Sequence, residues 1–343
     1  MFIFVDYIPQ YSSKVIDKNT LSENIFKVKT ESDFNRLALE VYNYQYNHVS
    51  LYKQFCDTLN RPAPQHYSEI PFLPISFFKT HQILSDEFSK EDVLLFKSSG
   101  TTKSIRSHHY IADVNLYEDS FNKTFANQIT EPKSAIILAL LPNYIEQGES
   151  SLVYMVDALI QQSEDDLSGF YLSDIDSLIE VIEQAKRTKK KVVLFGVSYA
   201  LLDLAEKKID LSGVIVLETG GMKGRRKEMI KEELHEVLCE GLNLKHIYSE
   251  YGMTELLSQG YTNGTEYFTP APWMKVLIRD VNDPLHIRND GKTGGVNIID
   301  LANLYSCSFI ATDDLGVQNH NKFKILGRFD QSDIRGCNLL VNS

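Results

Sequence analysis

Short apolar runs separated by helix-length amphipathic stretches set the rhythm of this chain from Val93 onward. The runs are VLLF (Val93–Phe96), AIILALL (Ala135–Leu141), VVLFG (Val192–Gly196) and GVIVLE (Gly213–Glu218). Runs of this length with no polar alternation fit strands covered on both faces, as in a parallel sheet. The clearest helix between them is Lys223–Glu240, with Met229, Ile230, Leu234, Val237 and Leu238 on one side. Strand, helix, strand predicts an α/β domain with a mainly parallel sheet flanked by helices. After Gly264 the pattern becomes strand and turn, through KVLIRD, GGVNIID, FIATDDLG and FKILGR.

The first ninety residues read differently. Phe34, Leu37, Leu39, Val41 and Tyr42 predict a helix, and His48 to Leu59 continues the helical pattern. RPAPQ (Arg61–Gln65) breaks it. EIPFLPISFFKTHQIL then threads two prolines through apolar residues, which predicts an extended, buried connector. The expected division is a helical N-terminal extension over 1–90, an α/β core over 91–263, and a β-rich subdomain over 264–343 ending in a mobile, cysteine-bearing tail.

Several apolar runs end in small or hydroxyl residues, and in open α/β sheets ligands bind on loops beyond the carboxyl ends of strands. KSSGTTKS (Lys97–Ser104) offers the hydroxyls of Ser98, Ser99, Thr101 and Thr102, with Lys97 and Lys103 for positive charge. Gly100 lets the backbone approach an anion and aim amides at it. The Walker spacing is absent, so a polyphosphate would be held another way. ETGGMKGR (Glu218–Arg225) places Gly220 and Gly221 after a second run. YGMTE (Tyr251–Glu255) follows the strand-like KHIYSE and combines an aromatic ring, Gly252, Met253, the Thr254 hydroxyl and the Glu255 carboxylate. Mg²⁺ prefers one or two carboxylates plus substrate phosphates, a role that suits Glu255. The alternative for each loop is an ordinary polar strand-end turn. His108, His109 and His246 flank these loops and read first as loop or core residues, with phosphate contact or base chemistry left open.

Composition narrows the partners. The 343 residues carry 35 Lys and Arg against 46 Asp and Glu, a net charge of −11. An acidic chain is a poor default binder of nucleic acid or anionic lipid. No apolar run is long enough for stable membrane insertion. The start, MFIFVDYIPQY, has no basic n-region, so no signal peptide is expected. Cys56, Cys239, Cys307 and Cys337 form no metal-like spacing, and a cytoplasmic setting with reduced thiols follows.

SSGTTKS and YGMTE together resemble the adenylate-forming superfamily of acyl-CoA synthetases, peptide-synthetase adenylation domains and luciferases. TDDLG (Thr312–Gly316) is similar to its Thr-Gly-Asp-Leu segment, and GRFDQSDIRG (Gly327–Gly336) to its Gly-Arg-x-Asp hinge. The nearest branch is the LuxE-type acyl-protein synthetases, on the strength of IPFLPISFFK (Ile70–Lys79), LPNYIEQGESSLVYMVDALI (Leu141–Ile160) and RGCNLLVNS (Arg335–Ser343). The resemblance implies the large N-terminal domain of an adenylate-forming enzyme, with ATP and Mg²⁺ as cofactors. It places Ser98, Ser99, Gly100, Thr101, Thr102 and Lys103 at phosphates, Gly220, Gly221, Tyr251, Gly252 and Met253 around the nucleotide, and Asp314 and Arg328 on the ribose. Thr254 and Glu255 are catalytic, with Glu255 on Mg²⁺. The loop departs from the superfamily in lacking Gly-x-Pro-Lys-Gly, reading KSIRSHH instead, and the usual lysine-bearing lid is not expected within this chain.

The implied reaction activates a long-chain fatty acid as acyl-AMP and moves the acyl group to a cysteine thiol, for delivery to a LuxC-like acyl reductase partner. Cys337 matches the acceptor position, and Arg335 nearby favours thiolate. Its apolar neighbours NLLV equally allow a packed thiol. Two other readings stand beside this one: an acyl-CoA or aryl-CoA ligase, and a non-catalytic nucleotide- or acyl-binding partner. The sequence leaves chain length, aliphatic or aromatic character of the acid, and oligomeric state open.

Overall fold

The computed structural model of the protein describes residues 18–99, 105–141, 149–172, 174–220 and 229–329. The first elements are helices α1 (Lys18–Ile25), α2 (Glu31–His48) and α3 (Ser50–Leu59). Thr30 caps α2: its hydroxyl accepts from the Asp33 N–H while the Asp33 carboxylate accepts from the Thr30 N–H. This pair satisfies donors that a helix start leaves unpaired. Phe34, Leu37, Ala38, Val41 and Tyr42 then bury one face of α2. The proline-threaded connector stays largely irregular, holding only a two-residue strand β1 (Leu73–Pro74) and one helical turn, α4 (Phe77–Thr80).

The first apolar run departs from expectation. β2 (Leu94–Lys97) pairs antiparallel with β3 (His108–Ile111) in a separate two-stranded sheet. The segment between them therefore joins two strands of a hairpin instead of leaving a parallel strand for a helix. Only Phe96 of β2 is buried, so a four-residue apolar run here covers one face.

The remaining runs form the predicted α/β layer. α5 (Val114–Gln128), β4 (Ala135–Leu140), α6 (Ser151–Ser163), β5 (Gly169–Phe170), α7 (Ile175–Ala185), β6 (Lys191–Val197), α8 (Ser198–Ala205), β7 (Val214–Thr219), α9 (Lys231–Leu242) and β8 (Tyr248–Tyr251) follow in order. β9 (Gly260–Tyr261) and β10 (Thr269–Pro270) complete a seven-stranded sheet, ordered β10-β9-β8-β7-β6-β4-β5. Strands β5, β4, β6, β7 and β8 are parallel, and β9 and β10 are antiparallel. Every residue of β4 is buried, which is why its sequence shows no alternation.

Helix α9 begins at Lys231, behind an extended Ile230, and residues 223–228 of the expected helix lie outside the described residues. Its inward stripe is Leu234, Leu238 and Leu242, spaced by four. Val237 lies off that stripe and is 39% exposed, and Ile230 precedes the helix at 69%.

β11 (Met274–Arg279), β12 (Thr293–Asp300), β13 (Phe309–Asn319) and β14 (Lys322–Arg328) form the β-rich region. Their antiparallel sheet takes in β1 as a parallel edge through Leu73↔Ile310 and Pro74↔Ala311. Gln45 of α2 reaches into the turn after β12, donating 2.9 Å bonds to the Asn303 and Leu304 carbonyls. The N-terminal helices and this sheet thus share buried contacts. Among the described residues, no helix is long and apolar enough to cross a membrane.

Candidate active site

β8 delivers Tyr251 at the carboxyl edge of the parallel strands, and the second sheet delivers Asp314 and Arg328. TDDLG lies inside β13, where Asp314 sits directly opposite Arg328 of β14. The Tyr251 hydroxyl donates to Asp314 Oδ2 at 2.7 Å, and Arg328 Nε donates to Asp314 Oδ1 at 2.9 Å. Asp314 is 4% exposed, so its charge needs both partners. The Arg328 side chain is 71% exposed, leaving the rest of its guanidinium free to meet a ligand. The Tyr251 ring packs against Phe323 and Phe268, with centroids at 5.1 and 5.7 Å. Lys231 Nζ stands 4.3 Å over the Phe268 ring.

The second half of the motif turns away from the strand and is held by side chains from distant elements. Glu255 is buried beside Ser107. Burial pushes its pKa up, opposed by Ser107 and by the positive charges of Arg328 and Lys79. Ser107 also donates its N–H to Ser98 Oγ at 2.9 Å, and Ser98 N–H donates back to the Ser107 carbonyl at 3.1 Å. The base of the predicted phosphate loop is thereby joined to the residue beside Glu255. Ser98 keeps its own hydroxyl proton to donate, and Ser99 is exposed. Lys97, predicted as a free positive charge, is paired with Glu149 at 2.6 Å.

The backbone carbonyl of Thr254 faces His109 Nδ1 at 2.7 Å, and the carbonyl of Glu255 accepts from Asn303 Nδ2 at 2.9 Å. Two residues on, the Asp300 carboxylate accepts the N–H groups of Leu257 and Ser258 at 2.8 and 2.9 Å. Burial lowers the His109 pKa to about 4, against its contacts with the Thr254 carbonyl and Asn303 Oδ1, and so favours the neutral ring.

Beneath the motif, neighbouring strands exchange side-chain bonds. Thr219 of β7 donates to Glu250 Oε2 at 2.5 Å, and Ser249 of β8 donates to Glu218 Oε2 at 3.2 Å. Burial pushes Glu250 up to about 7, with nearby Glu218 adding to the shift while Thr219 and Lys231 oppose it. Glu218 is buried more deeply, yet the nearby His235 ring, the charge of Lys231 and the bond from Ser198 bring it below its ordinary value. Gly252 follows immediately, and a side chain there would collide with Glu250 Oε1. Gly220 follows β7 with φ 74°, in the left-handed region.

Tyr251, Gly252, Met253, Thr254, Glu255, Asp314 and Arg328 therefore gather where the two sheets meet, with Ser98 linked through Ser107. Gly100, Thr101, Thr102, Lys103, Gly221 and Cys337 lie outside the described residues. Sequence reasoning missed Ser107, Glu250, Asp300 and Asn303, which act across long separations. No group of three or more potential metal ligands occurs among the described residues. A divalent cation at Glu255 would take its other ligands from phosphates and water, the arrangement Mg²⁺ favours. Of the described cysteines, Cys56 is pushed up to about 12 by burial and Cys307 is raised for the same reason, which makes both poor nucleophiles. A groove of about 270 Å³ is lined by Thr30, Phe34, Pro270, Lys275, Gln318 and Phe323 among others, and meets this site only at Phe323.

The family of acyl-protein synthetases, LuxE, matches over residues 162–343. The chain is 20% identical over 306 residues to a long-chain-fatty-acid–luciferin-component ligase of Aliivibrio fischeri, covering 82% of this chain and 78% of that protein. Among solved structures, ATP-bound MatB from Rhodopseudomonas palustris is similar with a TM-score of 0.53 at 15% identity, over 71% of this chain and 50% of that one. This chain thus spans about half the length of MatB. 2-Hydroxyisobutyryl-CoA ligase in complex with 2-HIB-AMP and CoA reaches a TM-score of 0.65 at 12% identity, over 89% and 77%. These structures share the fold of the chain.

Proposed function

Because the chain belongs to the LuxE family of acyl-protein synthetases, a family of ligases, we propose that it uses ATP to activate a fatty acid as an acyl-adenylate and then passes the acyl group to a cysteine thiol. The observation that carries this reading is the convergence of Tyr251, Asp314 and Arg328 beside the Thr254–Glu255 turn. Each Asp314 oxygen holds one protein donor and keeps a lone pair for a ribose hydroxyl. Arg328 extends from the same carboxylate toward the nucleotide.

In the first step the acid's carboxylate oxygen attacks the α-phosphorus of ATP. The new P–O bond forms as the bond to the β-phosphate oxygen breaks, and pyrophosphate leaves with the electron pair. The Thr254 hydroxyl and the Ser98-based loop donate to the phosphate oxygens, where negative charge grows. Glu255 would hold a Mg²⁺ ion, which would supply charge neutralisation at the phosphates. In the second step a thiolate attacks the acyl carbon, a thioester forms, and AMP leaves. We assign that thiol to Cys337, and the thioester then suits transfer to a reductase subunit. The work is placed in the cytoplasm, where the thiol stays reduced.

The test is incubation with labelled fatty acids and ATP followed by intact mass. The expected result is an acyl adduct that hydroxylamine removes and Cys337→Ser abolishes. An adduct that persists in Cys337→Ser overturns the thiol assignment. CoA-dependent AMP release unaffected by that substitution identifies a CoA ligase instead. Absence of ATP–pyrophosphate exchange with every acid overturns the ligase reading.

A further inference from the structure

His109, on β3, is fully buried with both ring nitrogens in contact. Nδ1 lies 2.7 Å from the Thr254 carbonyl oxygen, and Nε2 lies 2.9 Å from Asn303 Oδ1. Asn303 turns Nδ2 to the carbonyls of Glu255 and Cys307, each at 2.9 Å. An amide nitrogen only donates and a carbonyl only accepts, so this fixes Oδ1 toward the ring. The carbonyls of two consecutive residues, Thr254 and Glu255, are thus held by two side chains that also touch each other. Gln45 steadies Asn303 from α2, and Phe78 meets the imidazole edge-on with centroids 5.5 Å apart.

Both partners of the ring are acceptors, and a neutral imidazole has a single N–H to offer, so its bare nitrogen must lie against an oxygen. The shorter contact and the main-chain acceptor assign that proton to Nδ1. We propose that His109 is a positioning residue for adenylation: its Nδ1–H grips the Thr254 carbonyl and so aims the Thr254 hydroxyl and the Glu255 carboxylate at the nucleotide. This rests on the roles given to Thr254 and Glu255 above. His109 itself touches no reacting atom.

Three substitutions separate this from simple packing. His109→Asn keeps a donor near the Nδ1 position and loses Nε2. His109→Gln fills more of the cavity but places its donor near Nε2, away from Thr254. His109→Phe keeps the ring and no donor. The readouts are kcat and KM for ATP in ATP–pyrophosphate exchange, together with Tm. His109→Asn should stay within about 5-fold of wild type, while the Gln and Phe variants lose on the order of 100-fold in kcat, the scale of a misplaced catalytic group. KM for ATP should change by less than about 3-fold, because binding contacts remain. A packing role predicts the reverse order, with Phe and Gln the better replacements, and that result overturns the proposal. If His109→Asn fails to fold, ¹⁵N spectra of histidine-labelled wild type decide: a protonated Nδ1 supports the assignment and a bare Nδ1 overturns it. Wild-type protein without exchange activity would remove the ligase reading itself, and this inference with it.

Discussion

Tyr251 and Asp314, 63 residues apart in the chain, meet through a 2.7 Å hydrogen bond that ties the end of the parallel sheet to the middle of the antiparallel one. Neither sheet alone builds the edge proposed to hold the nucleotide. β8 brings the phenol, β13 the carboxylate, and β14 the opposing arginine.

Tyr251→Phe should therefore damage both stability and nucleotide affinity. It leaves Asp314 Oδ2 buried without its protein donor, a loss of about 1–3 kcal/mol. The expected outcome is a lowered urea midpoint and a KM for ATP raised about tenfold, with the ring packing on Phe323 and Phe268 retained. Denaturant titration and exchange kinetics check it, and an unchanged KM would remove Asp314 from the nucleotide.

Glu255→Gln should separate activity from stability. Burial disfavours the charged carboxylate, so replacing it with a neutral amide of the same shape leaves Tm unchanged or higher. Catalysis should fall by about 100-fold or more in kcat, since the amide no longer carries the charge that binds a cation. Exchange assays across a Mg²⁺ titration, paired with thermal unfolding, measure both.

That Tyr251, Thr254 and Glu255 lie together was legible, because they share one five-residue string after the strand-like KHIYSE. The parallel strands were legible for a related reason: burial on both faces writes a continuous apolar word, as in β4. The hairpin of β2 and β3 was not legible, because LLFK resembles those words while burying only Phe96. The clamp around the turn left no local signal. His109 meets Thr254 across 145 residues and Asn303 across 194, and no spacing rule connects such positions. Asp300 ends β12 and Asn303 sits in the turn after it; such polar residues look solvent-facing in sequence, yet both are buried and bonded in the fold.

Glu250 predicts a pH dependence of stability. Its folded pKa, about 7, lies above the ordinary 4.5. Between these values the folded protein holds a proton that the unfolded chain has released, so stability falls as pH rises through that window. The stabilising proton is fully present below pH 4.5 and its contribution is lost above about pH 7. The size is on the order of 2 kcal/mol, since each pKa unit is worth about 1.4 kcal/mol and the partly solvated carboxyl realises less than the whole shift. Denaturant unfolding at pH 5 and pH 8 should show this loss in wild type and a smaller one in Glu250→Gln. Equal pH slopes in the two proteins would rule it out.

Gly252 and Glu250 should be energetically coupled. A methyl group at Gly252 would meet Glu250 Oε1, the far end of a side chain held by Thr219. The carboxyl can move aside only by giving up that bond, so Gly252→Ala should cost about 1–2 kcal/mol from overpacking and the lost contact. With Glu250→Ala in the background the obstacle is gone, and Gly252→Ala should cost under about 0.5 kcal/mol more. A double-mutant cycle by urea unfolding gives the interaction term directly. An additive result would mean that Gly252 is required for the backbone path into Thr254, and not for the space that Glu250 occupies.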